Sequence, residues 1–257
     1  MPTSAPTADS AVLLQASALT RRFGGLAAVD GVSIDLKRGE VHAVIGTNGA
    51  GKSTLINMLS GELTPSAGTI RLNGADITAW SQPRRARAGV GRSYQRTNIF
   101  EKFSVFENAR LSAQAALPRP WALWESARDC KRSGSIAREA IVAAGLASSA
   151  GQIAGALSHG GKRQLEIAMC LATRPQVLLL DEPLAGMGAE ETERMLALLN
   201  ELKRGHAVLL VEHDMDAVFR IADRITVMVN GSVIATDTPQ NIRADPEVRI
   251  AYLGEGH

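Results

Sequence analysis

Apolar residues arrive along this chain in short runs separated by stretches with helical spacing. The runs at residues 41–45, 177–180 and 207–211 are continuously apolar, the pattern of strands covered on both faces. Residues 12–14 and 18–19 predict a first strand, broken by Arg21-Arg22-Phe23-Gly24-Gly25. Residues 32–36 alternate apolar and polar positions and end at the turn Lys37-Arg38-Gly39-Glu40, so two short antiparallel strands are expected at the start. Further strands are predicted at 69–72, ended by Asn73-Gly74, and at 90–94, with a hairpin of 225–229 and 233–235 about Asn230-Gly231. Helices are predicted at 55–59, 81–88, 104–116, 135–146, 158–172, 190–203 and 214–222. Arg84, Arg85 and Arg87 read as a solvated helix face.

No strand signal appears between Gln95 and Val177, and Pro118, Pro120 and a Trp-containing connector separate the helical runs there. The expectation is an α/β fold: a mostly parallel sheet with helices on both faces, an N-terminal antiparallel β subdomain and an inserted all-helical subdomain. The boundaries read as a loose tail over 1–11, a core over 12–95 and 158–237, the helical subdomain over 96–157 and a C-terminal helical tail over 238–257.

The run Gly46-Thr47-Asn48-Gly49-Ala50-Gly51-Lys52-Ser53-Thr54 joins the apolar strand at 41–45 to the helix at 55–59. Strand, glycine-rich loop and helix with the spacing G-x-x-x-x-G-K-[ST] make a phosphate-binding P-loop. Curled amides and the helix start aim partial positive charge at an anion. Lys52 would reach the β- and γ-phosphates and the Ser53 hydroxyl would coordinate Mg²⁺. A second metal ligand belongs at the C-terminal end of a central strand, where Asp181 stands directly after residues 177–180. Glu182 leaves the strand in another direction, toward an attacking water.

Composition narrows the picture only slightly. The 257 residues are 45% hydrophobic and 21% charged, which fits an ordinary globular chain with room for a core and an inserted subdomain. A formal charge of +2 gives no argument for nucleic acid. Cys130 and Cys170 match neither a disulfide framework nor a metal-ligand spacing. No apolar stretch approaches the ~20 residues that span a bilayer, and the first ten residues lack the features of a signal peptide. A cytoplasmic location is expected, with any membrane span supplied by a partner.

With these pieces placed, the sequence resembles the ATP-binding subunits of ABC transporters over nearly its whole length. Residues 46–54 resemble Walker A, Gln95 the Q-loop glutamine, Leu157-Ser158-His159-Gly160-Gly161 the LSGGQ signature, Leu180-Asp181-Glu182-Pro183 Walker B, and His213 the switch histidine. Arg163-Gln164-Leu165-Glu166-Ile167-Ala168, Asp181-Glu182-Pro183-Leu184-Ala185-Gly186-Met187, Glu212-His213-Asp214-Met215 and Ala251-Tyr252-Leu253-Gly254 resemble the branched-chain amino-acid uptake branch, whose near cousins handle urea or short amides.

The resemblance implies a head-to-tail pair of such subunits, either two copies or one copy with a paralogue, with ATP between Walker A of one and the signature of the other. It implies that Gly46, Asn48, Gly49, Ala50, Gly51, Lys52, Ser53 and Thr54 hold ATP, that Ser158, Gly160 and Gly161 receive the γ-phosphate across the interface, and that Ser53, Gln95 and Asp181 serve Mg²⁺. Glu182 would act as general base, His213 would steady the γ-phosphate, and Lys52 would complete the catalytic set. Phe23 sits where the family stacks an aromatic on adenine; a core phenylalanine is the alternative. The implied partners are permease subunits, which hold the chain at the inner face of the plasma membrane, and indirectly an extracytoplasmic substrate-binding protein. His159 and Gly161 depart from the signature's first glycine and its glutamine, and Gly188 stands where an Asp or Asn usually links the two ATP sites. A soluble clamp and a lipopolysaccharide-type exporter ATPase are the competing readings.

Overall fold

The computed structural model describes residues 11–94, 98–117 and 131–253. The N-terminal lobe contains β1 (Val12–Phe23), β2 (Leu26–Lys37), β3 (Val41–Gly46), α1 (Lys52–Ser60), β4 (Ala67–Leu72), β5 (Ala75–Asp76), α2 (Gln82–Ala88) and β6 (Val90–Arg92). Helices α3 (Val105–Ala116), α4 (Lys131–Ala143) and α5 (His159–Leu171) follow. The chain then alternates through β7 (Val177–Asp181), α6 (Ala189–Leu202), β8 (Ala207–Val211), α7 (Met215–Ile221), β9 (Arg224–Val229) and β10 (Ser232–Asp237). It closes with α8 (Pro239–Ala244), α9 (Pro246–Val248) and a wide turn at Arg249–Leu253.

Two sheets organise the chain. One is antiparallel in the order β2-β1-β4-β5, and the other has the order β10-β9-β3-β8-β7-β6, parallel from β9 to β6. The continuously apolar runs form the central strands β3, β8 and β7, every residue of which is buried. Successive side chains of a strand point to opposite faces, so β7 sends Leu178 and Leu180 into the core shared with α3, α4, α5 and α6. It sends Val177 and Leu179 into the core shared with α1 and the antiparallel sheet. Each fully buried leucine contributes about 2 kcal/mol of transfer free energy, and both faces of the sheet collect it.

The antiparallel lobe differs from expectation at one end. The polar run Arg21-Arg22-Phe23 does not break β1, which stays paired to β2 as far as Phe23 opposite Leu26. Register shifts along this pair absorb the irregular polarity. The strand expected at 90–94 stops at Arg92, and the helix expected at 135–146 runs from Lys131 to Ala143.

The arginine run of α2 contains the larger correction. Arg84 and Arg87 are exposed, but Arg85 is buried. Its guanidinium donates to the carbonyls of Met58 (2.7 Å), Leu59 (2.9 Å), Thr78 (2.8 Å) and Trp80 (3.1 Å). Met58 and Leu59 lie in the last turn of α1, whose carbonyls have no partner within the helix. Burial pulls the Arg85 pKa down to about 10, still far above neutrality. Arg85 is therefore a charged cap that fixes the far end of the helix whose near end is the phosphate loop. The loose tail expected over the first ten residues, the proline- and Trp-containing connector, Cys130 and Gln95 lie outside the described residues.

Candidate functional site

The phosphate loop sits between the buried strand β3 and helix α1. Gly51 caps α1 with φ +98°, and a Cβ there would lie 2.3 Å from the Ala28 carbonyl oxygen of β2. Only glycine allows that approach. The Gly231 amide, in the β9–β10 turn, donates to Ala50 O at 3.1 Å and holds the loop from behind. Asn48, Gly49 and Ser53 are exposed on the open side and Thr54 is half-buried. The Lys52 ammonium is buried and donates to Gly46 O (2.6 Å) and Thr47 O (3.0 Å). Burial lowers its pKa, while Glu182 and Asp181 oppose that shift. The loop thus carries a cation against its own backbone, close enough to feel both carboxylates.

Asp181 ends β7 and is buried. Desolvation raises its carboxyl pKa, and Arg92 at 3.8 Å opposes the rise. A divalent cation beside it would reverse this desolvation, because a nearby positive charge favours the ionised carboxylate. The donor set fits Mg²⁺. A serine hydroxyl and one carboxylate are hard oxygen ligands, and Mg²⁺ completes its shell with water and phosphate oxygens. Among the described residues no group of three His, Cys, Asp or Glu side chains is assembled to hold a metal ion.

Glu182, one residue on, has φ +49°, a conformation rarely adopted outside glycine, asparagine and aspartate. Its amide donates to Val211 O at 2.8 Å, which fixes the exit of β7 to the exit of β8. Its carboxylate meets His213 Nε2 at 2.6 Å. Behind that pair stands Glu212, buried, whose two oxygens accept the Leu184 amide (2.7 Å) and the His213 amide (3.1 Å). Desolvation raises the Glu212 pKa while these amides lower it. One side chain therefore ties the turn after Glu182 to the residue that contacts Glu182.

The structure thus brings Lys52, Asp181, Glu182 and His213 together at the ends of β3, β7 and β8. Ser158 and Gly160 make a different set of contacts. Ser158 caps α5 through the Gly161 amide (3.1 Å), and its hydroxyl donates to Glu191 of α6 at 2.8 Å. The Gly160 amide donates to the same carboxylate oxygen at 3.3 Å. His159 Nε2 lies 2.9 Å from Ala185 O, so the residue that departs from the signature hydrogen-bonds the loop after β7.

Phe23 is 47% exposed, with the Arg21 guanidinium 4.8 Å from its ring centre, and is not a core residue. Gln95 lies outside the described residues, but the residues on either side of that gap are held. Arg163 of α5 donates to Tyr94 O at 2.9 Å and to Glu166 at 2.9 Å, and Glu166 accepts the Asn98 amide at 2.8 Å.

The sequence reading did not single out Arg92 or Glu191, and it named Arg163, Glu166 and Glu212 only within family motifs, without these contacts. Glu166 had a signal: a carboxylate three residues after an arginine, inside an otherwise apolar helix face, needs a partner. Glu191 and Glu212 had none, because their partners lie far along the chain. Cys170 is buried, and its thiol is pushed up to about 12, the behaviour of an inert core cysteine.

A family profile described as "ABC transporter" matches residues 29–185, and one described as "Branched-chain amino acid ATP-binding cassette transporter" matches residues 232–257. The chain is 40% identical over 253 residues to the high-affinity branched-chain amino acid transport ATP-binding protein BraF of Pseudomonas aeruginosa, with 95% of this chain and 98% of that one covered. It is 38% identical over 252 residues to the protein of the same description, LivG, of Escherichia coli, with the same coverage. Among solved structures it is similar to a nucleotide-free ATP-binding cassette from an ABC transporter, at 29% identity and a TM-score of 0.85, with 95% of this chain and all of that chain covered.

Proposed function

We propose a function from one premise: the chain belongs to the ABC transporter family of ATP-binding proteins. It is an ATPase subunit that powers an importer, and the cargo we assign is the branched-chain amino acids. The observation that carries the catalytic reading is the 2.6 Å contact of His213 with Glu182, set beside Lys52 and Asp181 at the ends of adjoining strands. The cargo rests on the relatives' descriptions and on the C-terminal profile match.

In this reading the substrate ATP lies along residues 46–54, with Lys52 and the loop amides on the β- and γ-phosphates and Phe23 against the base. Ser53, Asp181 and Gln95 would hold Mg²⁺, which supplies positive charge where the transferring phosphoryl group develops negative charge. Glu182 takes the proton of the attacking water, and His213 holds its carboxylate in line. The strained backbone at Glu182 fits this role, because strain at a strand exit fixes the direction of the side chain. Ser158, Gly160 and Gly161 take the γ-phosphate of a second ATP-binding subunit, so closure depends on ATP and hydrolysis releases it.

Among the described residues no helix is long and apolar enough to cross a membrane. In this reading the membrane span belongs to permease subunits. They hold this chain at the inner face of the membrane and receive substrate from an extracytoplasmic binding protein. The test is reconstitution of the chain with permease subunits and a binding protein of a branched-chain amino acid importer from the same source. ATP-dependent leucine uptake is expected. Uptake of urea or short amides instead would move the cargo without touching the motor, and failure to associate with any membrane subunit would overturn the transport reading.

A further inference from the structure

Glu191 occupies the hydrogen-bond donors that the proposed function reserves for a phosphate. Its Oε1 accepts both the Ser158 hydroxyl (2.8 Å) and the Gly160 amide (3.3 Å) at the start of the 13-residue helix α5. The approach is built into the backbone: a Cβ on Gly160 would lie 2.7 Å from the Glu191 carboxyl carbon. The contact borders a cavity of about 300 Å³ that Ser158, Gly161, Met187, Glu191 and Arg194 help to line. Unpaired amides at a helix start favour an anion, and here the chain supplies one of its own.

We propose that Glu191 is an internal competitor of the γ-phosphate, seated on Ser158 and Gly160 in the separate subunit and displaced when the ATP held by a second subunit arrives. The inference rests on the head-to-tail reading above. A carboxylate and a phosphate cannot share two donors, since like charges at hydrogen-bond distance repel. Closure must therefore break two hydrogen bonds to Glu191 before it makes those to ATP, and the side chain raises the ATP concentration at which the pair forms. The Ser158 hydrogen bond holds the Glu191 carboxyl below its ordinary range, so the competitor is charged at neutral pH. Arg194, one turn along α6 in the same cavity, offers the displaced carboxylate a partner.

A second role for Glu191 is separable. Gly188, the N-cap of α6, has no side chain to cap with, and Glu191 stands at the third helical position, where a capping-box residue faces the N-cap amide; that amide helps hold the Glu191 carboxyl pKa down. Glutamine serves that role equally well, so Glu191→Gln keeps the cap and the shape and removes the charge.

The experiment compares full-length Glu182→Gln with Glu182→Gln/Glu191→Gln, titrating ATP at fixed protein concentration and reading the dimer fraction by sedimentation. The double variant is expected to reach half-dimer at about tenfold lower ATP, the worth of one charge-assisted hydrogen bond. An equal or higher ATP requirement would overturn the proposal, the higher value indicating that Glu191 orients Ser158 for its phosphate. Glu191→Asp, which keeps the charge but shortens the reach, is expected to lower the requirement too and covers a failure of the glutamine variant to fold. If every variant binds ATP and none dimerises, the pairing of two copies of this chain falls, and the inference for such a pair with it.

Discussion

His213 Nε2 and Glu182 Oε1 stand 2.6 Å apart, within hydrogen-bond distance. The two residues are 31 positions apart in sequence. They meet because β7 and β8 are adjacent parallel strands in register from Val177 opposite Ala207 to Asp181 opposite Val211. The proposed base is thus held by the neighbouring strand's exit, not by its own loop.

Replacing Glu182 by glutamine keeps its size and removes its basicity. ATP binding should survive, and turnover should fall by about a hundredfold or more, the usual worth of a positioned base. Gel filtration with ATP should show a dimer accumulating, because closure no longer leads to release. Normal turnover in this variant would sink the assignment of Glu182.

Glu212→Gln probes positioning. Both Glu212 oxygens accept backbone N–H groups, and an amide offers only one acceptor. One N–H would face an NH₂ group, at a cost of about 2 kcal/mol. The expected outcome is a turnover reduced by about tenfold with ATP affinity retained. A loss confined to KM would place Glu212 in binding instead.

Arg85 should matter far more than its neighbours on α2. Arg85→Met removes the donors to the carbonyls of Leu59, Thr78 and Trp80 and leaves Met58 O with the Gly61 amide alone, and urea unfolding should show a loss of about 3 kcal/mol or more. Arg87→Met, on the exposed side, should stay within about 0.5 kcal/mol of the unmodified chain. Equal effects would mean that the buried fan of hydrogen bonds contributes nothing.

His42 gives an acid-lability prediction. It lies inside β3, with Nε2 2.8 Å from Thr226 Oγ1 and Nδ1 3.1 Å from Asp35 O, partners that suit the neutral Nδ1–H ring. Burial lowers its pKa to about 4 from 6.5. Between those values the unfolded chain binds the extra proton, so stability rises with pH across that window and falls on acidification from 6.5 toward 4. The shift corresponds to about 3 kcal/mol. Urea midpoints measured from pH 7 to 4 should drop accordingly, and a His42→Gln chain should lack that part of the slope.

The phosphate loop, Asp181 and Glu182 could be placed from local order, a loop between strand and helix or residues leaving a strand end, whereas His213 was placed only by the family resemblance. Arg85 was misread because three nearby arginines on a short helix look alike, and which one faces inward depends on α1 and the Thr78–Trp80 segment. The contacts of Glu191 and Glu212 were silent for a related reason. Their partners Ser158 and Leu184 lie 33 and 28 positions away, and only the packing of α5 on α6 and of β7 on β8 brings them close. The path of β1 through Arg21 and Arg22 was hidden because its register shifts spoil the alternation that marks a strand.

The central claim is that this chain contributes half of each ATP site, and complementation between two disabled chains tests it most directly. Lys52→Ala removes the loop's cation and leaves the start of α5 intact; Ser158→Arg does the reverse. Each chain alone should be nearly inactive in ATP hydrolysis. Mixed in equal amounts, they should recover up to about a quarter of the unmodified activity, since half the pairs are mixed and each mixed pair holds one complete site. A Ser158→Arg chain that turns over ATP by itself at the unmodified rate would contradict the account, because its site would then be complete without a second molecule.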